Sequence, residues 1–176
     1  MLGLLAVAVY GLALVAAAAS DLTHYEIPNG ISIALAAGFT LLVPGLQASE
    51  AAWHLAAGGA VFIVTAALFA RGIMGGGDVK LLSATALWTG FAGLPAFMLL
   101  MALFGAALAA ALLTAKRLVP EAAFGRRWYA HLLAREAGVP YGVAIAGAGL
   151  ALLPQLSVMA GARQQLAQIF APALGG

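Results

Sequence analysis

The sequence predicts an all-α fold: a polytopic membrane bundle of about six transmembrane helices, forming one integral membrane domain over residues 1–176. Three observations predict it. Hydrophobic residues make up 64% of the chain, charged residues only 8%, and the mean hydropathy is +1.05. A soluble domain cannot hide that much apolar surface. The apolar residues fall in runs of helical length separated by short polar breaks. Alanine and glycine thread these runs, so helix backbones can approach closely in lipid.

The first span, about 2–20, covers most of a ~30 Å hydrocarbon core at ~1.5 Å per residue. Residues 16–20 resemble a signal-peptide cleavage region, but no Lys or Arg precedes the span, which argues against cleavage. Ile27 and Pro28 then force extended or turn backbone. Asn29 is expected to cap the second span, about 31–46. The third, about 53–70, contains Gly58-Gly59 and is expected to end at the glycines 75–77. His54 beside Trp53 reads as an interfacial residue. The fourth, about 79–92, is too short to cross without a thinned bilayer, and Asp78 reads as its N-cap. Gly90 to Pro95 separates it from the fifth, about 95–115, where Gly105 suits close packing.

Residues 116–138 form the one sizeable polar segment. Pro120 and Glu121 suit a helix start, and Phe124, Trp128, Leu132 and Leu133 share a face. This predicts an interfacial helix near 121–137 lying on the cytoplasmic leaflet. The sixth span is about 139–154. In the tail, 155–176, Val158, Ala162, Leu166 and Ile169 recur at helical spacing, which places it on or beside the opposite leaflet.

Six spans put Arg71, Lys80, Lys116, Arg117, Arg126, Arg127 and Arg135 on one side and Arg163 alone on the other. The excess of basic residues marks the cytoplasmic side, so the N-terminus is expected outside. A five-span count, with 79–115 as one helix, would reverse the tail. The small basic excess does not point to nucleic acid. The absence of cysteine excludes disulfides and thiolate metal sites. His24, His54 and His131 lack metal-ligand spacing, and neither metal nor cofactor is expected. Ser20, Ser32, Ser83 and Ser157 lack a neighbouring His or Lys to activate them.

Two acids remain, Asp21 and Asp78, both expected at the cytoplasmic edge. A carboxylate beside hydrocarbon is costly and needs a partner, water or a function. Asp78 closes the run Gly75-Gly76-Gly77-Asp78, whose glycines let another backbone approach the carboxylate. Asp21 precedes the hairpin made by Ile27, Pro28 and Asn29. Two nearby Asp share one proton, the arrangement for acid–base hydrolysis by an activated water. The helix dipole at Val79 and the charge of Lys80 should favour ionised Asp78. Other classes stay open: a proton-coupled transporter, whose acids would lie near the midplane, and a non-catalytic assembly scaffold.

These residues resemble a known family. Asp21 followed by Ile27-Pro28-Asn29 resembles the first motif of type IV prepilin peptidases. Gly75-Gly76-Gly77-Asp78 with Val79-Lys80-Leu81-Leu82 resembles their G-x-G-D motif, and Val139-Pro140-Tyr141-Gly142 is similar to their last helix. The resemblance implies an aspartic endopeptidase that removes the leader of prepilins, after a glycine, at the cytoplasmic face of a bacterial inner membrane. It makes Asp21 and Asp78 the catalytic pair, supported by Ile27, Pro28, Asn29, Gly75, Gly77, Lys80, Pro140, Tyr141 and Gly142. Family members that also methylate the new N-terminus carry an extra cytoplasmic domain, often with four cysteines. The short 21–30 loop here resembles the peptidase-only form of Flp (tight-adherence) systems. The partners this implies are a prepilin substrate helix and the bilayer, with a homo-oligomer left open.

Overall fold

The computed structural model describes residues 2–118, 132 and 138–159. Every regular element among them is helical: α1 (Leu2–His24), α2 (Asn29–Thr40), α3 (Ala48–Ala70), α4 (Gly76–Leu118) and α5 (Tyr141–Leu152), with short 3-10 turns at Val43–Gly45, Leu153–Gln155 and Ser157–Met159. Helices α1, α3 and α4 are long and apolar enough to cross a membrane. The stretches Asn29–Gly45 and Tyr141–Gln155 are shorter apolar helices. The interfacial helix expected near 121–137, and the tail beyond 159, lie outside the described residues.

Helix α4 is continuous by hydrogen bonding but broken at Gly90, whose backbone (φ 58°, ψ −179°) is not helical. A positive φ of this kind suits glycine. Gly93, just past the break, lies by Leu156 beyond the end of α5, whereas Gly105 lies by Ala144 near its start. Thr85, before the break, sits by Gly149. The second limb of α4 therefore runs back against the direction of the first, so the separation of two segments at 90–95 is sound. His54 packs against this break, its Nδ1 2.7 Å from the Leu87 carbonyl oxygen. His54, expected from sequence at the interface, is buried between Phe39 and Gly90 near the start of α3.

Helix α3 ends one turn earlier than the glycine run. Gly72 takes φ 71°, the Ile73 N–H donates to the Leu68 carbonyl and the Gly72 N–H to that of Phe69. This left-handed cap closes α3. Gly76 and Gly77 therefore begin α4, with Gly75 just before it, and Asp78 lies in its first turn instead of at its cap.

The core is aromatic and tightly framed by small residues. Tyr10 and Trp88 stack with ring centres 4.7 Å apart, and Phe39 meets Trp88 edge-on. The indole N–H of Trp88 donates to the Leu35 carbonyl and the Tyr10 hydroxyl to that of Gly149. Both polar tips thus have partners, as buried aromatics require. Gly38 makes room for Trp88 and Val9, and Gly149 for Leu14 and Tyr10. Val158 and Met159 turn into this core, so the first residues of the predicted tail pack on the bundle, not along a leaflet.

Candidate active site

Helix α1 continues through Asp21 to His24, past the boundary expected at residue 20. Its buried stripe runs Tyr10, Leu14, Ala17, Asp21, so Asp21 takes the next inward position of an apolar face. That spacing was present in the sequence, hidden by the polar residues around it. Asp21 is only 5% exposed. The helix stops where Tyr25 adopts φ 54°, rare for a residue with a Cβ. The Ser20 hydroxyl then donates to the Glu26 carbonyl at 2.7 Å and binds the returning loop to α1. Pro28 is extended, as expected from its fixed φ.

Asp21 meets the head of α5. The Gly142 N–H donates to Asp21 Oδ2 at 2.6 Å, and the Val143 N–H also bonds this carboxylate. First-turn N–H groups have no partner within their own helix and carry the positive end of its dipole. A carboxylate there is a favoured occupant. Gly142 has to be small: a Cβ would lie 2.8 Å from Asp21 Oδ2 and 2.8 Å from Ile27 Cδ1. Tyr25 reinforces the junction, its hydroxyl donating to the Gly138 carbonyl at 3.0 Å. Burial, and then the charge of Asp21, hold the Tyr25 phenol above its ordinary value, so it remains a donor at neutral pH.

Asp78 is positioned by its own helix. Its carboxylate accepts the Gly75 N–H just before the first turn. An acid at the third helical position reaching back in this way satisfies an otherwise free donor. Gly77 fits directly under Ile27, where a Cβ would lie 3.1 Å from Ile27 Cβ. Ile27 therefore wedges between Gly77 of α4 and Gly142 of α5.

The two acids face one cavity of about 350 Å³, lined by Asp21, Tyr25, Glu26, Ile27, Pro28, Asn29, Gly75, Gly76, Gly77 and Asp78. Both lie at the ends of their helices, away from the middle of the bundle. Of the residues singled out from sequence, Lys80, Pro140, Tyr141 and Gly142 do not line this cavity, though Gly142 bonds Asp21. Lys80 donates to Asn29 Oδ1 at 2.8 Å, so its charge is engaged by the hairpin. Asn29 is the first residue of α2, preceded by Pro28, and makes no cap; its amide oxygen serves Lys80 instead. Pro140 is buried just before α5, and Tyr141 packs on Gly105 of the second α4 limb. Tyr25 and Val143 are the contributors the sequence reading missed. Among the described residues no cluster of His, Cys, Asp or Glu could hold a metal ion.

A sequence model of the type IV leader peptidase family matches residues 8–110, which include both acids and the loops that carry them. No curated protein and no solved structure matches the chain.

Proposed function

Because the chain belongs to the type IV leader peptidase family, we propose that it is an aspartic endopeptidase that cleaves the leader from prepilin-like substrates, with Asp21 and Asp78 as the catalytic pair. The observation that carries this is the single cavity into which both carboxylates project. Hydrolysis needs one acid and one base across a water. Two carboxylates in one cavity share a single proton, because both cannot ionise readily at close range. The paired N–H groups of Gly142 and Val143 support negative charge on Asp21, so Asp78 carries the shared proton. This reverses the expectation from Lys80, whose ammonium is turned to Asn29.

The reaction follows from that state. Asp21 takes a proton from water as its oxygen adds to the scissile carbonyl. Asp78 gives its proton to the carbonyl oxygen, forming a neutral gem-diol. The proton on Asp21 passes to the nitrogen, the C–N bond breaks, and a proton from the diol returns to Asp78. The products are the leader's carboxylic acid, which then loses its proton to water, and a free amine.

Six crossings follow if the two limbs of α4 and the shorter helices α2 and α5 each count as one. The excess of basic residues then puts the cavity on the cytoplasmic side of a bacterial inner membrane. That is where a basic leader would lie while the apolar part of its chain stays in the bilayer. Cleavage without methylation fits the tight connection between α1 and α2, which leaves no room there for an extra domain. A Flp-like pilin is the substrate class proposed. The test is co-expression with such a prepilin, followed by a gel shift for leader removal. Leader loss with an unmethylated new N-terminus is expected; an intact prepilin would overturn the proposal.

A further inference from the structure

Helices α2 and α3 both pack on the first limb of α4 and scarcely touch each other. The gap between them is an open groove of about 540 Å³. It is lined by the small residues Ala36, Gly59 and Ala84 and by the exposed Ile33 and Phe62. One end reaches Asn29, which also lines the cavity of the two acids, and Lys80, which bonds to it. The groove thus adjoins the active-site cavity at Asn29. From Asn29 to Ala36 it extends for about two helical turns, ~10 Å.

A polar group is set into this apolar lining. Ser32 is 8% exposed, lines the groove, and its hydroxyl has no hydrogen-bond partner. An unpaired buried hydroxyl is costly and is normally satisfied by something. Ser32 lies one turn from Asn29, near the end that meets the cavity. Any helix entering there has free N–H groups in its first turn. The oxygen is covered in this structure, so a turn about χ1 is needed to bring it to the groove, where the head of a peptide helix can satisfy it and a lipid acyl chain cannot.

We infer that the α2–α3 groove receives the apolar helix of the substrate, its first-turn N–H groups facing Ser32 and its leader passing over Asn29 into the cavity. This rests on the leader-peptidase reading. Gly59 supplies the decisive variant, because a Cβ there meets nothing within 4 Å. Gly59→Leu fills the groove without disturbing the packing of the bundle. Gly11→Leu, on α1 and equally unobstructed, is the control.

The test uses the full chain in liposomes with two synthetic peptides. One carries a basic leader, a glycine and an apolar helix of ~20 residues; the other stops a few residues past the glycine. Gly59→Leu should raise KM for the long peptide about tenfold with kcat little changed, and leave the short peptide unaffected. A photo-crosslinker replacing Phe62 should capture the long peptide. An unchanged KM for the long peptide, or capture of lipid alone at saturating peptide, overturns the docking site. Should the wild-type protein cleave neither peptide, the proposed function itself fails, whatever the crosslinker captures.

Discussion

Replacing Gly142 by alanine should damage catalysis far more than a single methyl group suggests. The added Cβ would lie 2.8 Å from Asp21 Oδ2, 3.1 Å from Asp21 Cβ and 2.8 Å from Ile27 Cδ1. Ile27 can turn its terminal methyl aside, but Asp21 is held on the same residue's N–H at 2.6 Å. Relief of the overlap has to lengthen that bond or swing the carboxylate out of the cavity. A hydrogen bond to a charged group contributes about 1.5–3 kcal/mol. Its loss from the reacting state lowers the rate roughly 10- to 150-fold. The assay is steady-state cleavage of a leader-bearing peptide, with Gly147→Ala as control, because a Cβ at Gly147 meets only Phe104 at ordinary contact distance, 3.5 Å. The loss should fall on kcat, since the bond supports the base rather than the substrate. Full activity in a normally folded Gly142→Ala protein would refute the role given to the head of α5.

Other perturbations have equally definite outcomes. The pH profile of kcat/KM should be bell-shaped, because the pair works only with one proton between its members; a profile flat across the acid range would contradict this. Lys80→Met removes the bond to Asn29 and should lower activity without shifting either limb of that profile, since the ammonium is bonded to Asn29 and not to either acid. Tyr25→Phe loses the bond to Gly138 and should reduce kcat several-fold at constant fold content, an effect of about 1 kcal/mol. His54→Ala removes the buried bond to the Leu87 carbonyl and should destabilise the bundle by roughly 1–3 kcal/mol, read by thermal unfolding in detergent.

The two acids of the candidate site were legible in the sequence to a degree their surroundings were not. Asp21 and Asp78 stood out because carboxylates are scarce in so apolar a chain, and the glycines and the Ile27-Pro28 turn located both near helix ends. The structure brings them to one cavity. Local cues failed where a residue's partner is distant in the chain. Asp78 and Asn29 both read as caps, but an N-cap preference speaks only of neighbouring N–H groups. Asn29 instead meets Lys80, fifty-one positions away, and Asp21 meets Gly142, 121 positions away. The burial of His54 was hidden for the same reason, since its partner, the Leu87 carbonyl, lies thirty-three positions away. The end of α1 was placed too early because Ser20, Asp21 and Thr23 are polar. Thr23 instead returns its hydroxyl to the Ala19 carbonyl at 2.7 Å, and the helix carries Asp21 inward.

The central claim is that Asp21 and Asp78 act as one catalytic unit. The most direct test is cleavage of a prepilin by Asp21→Asn, by Asp78→Asn and by the double variant, each in a folded, membrane-inserted protein. Each single variant should lose at least about a thousandfold in kcat, and the double variant should be no worse than either, as for residues that work together. Normal processing by either single variant would contradict the account.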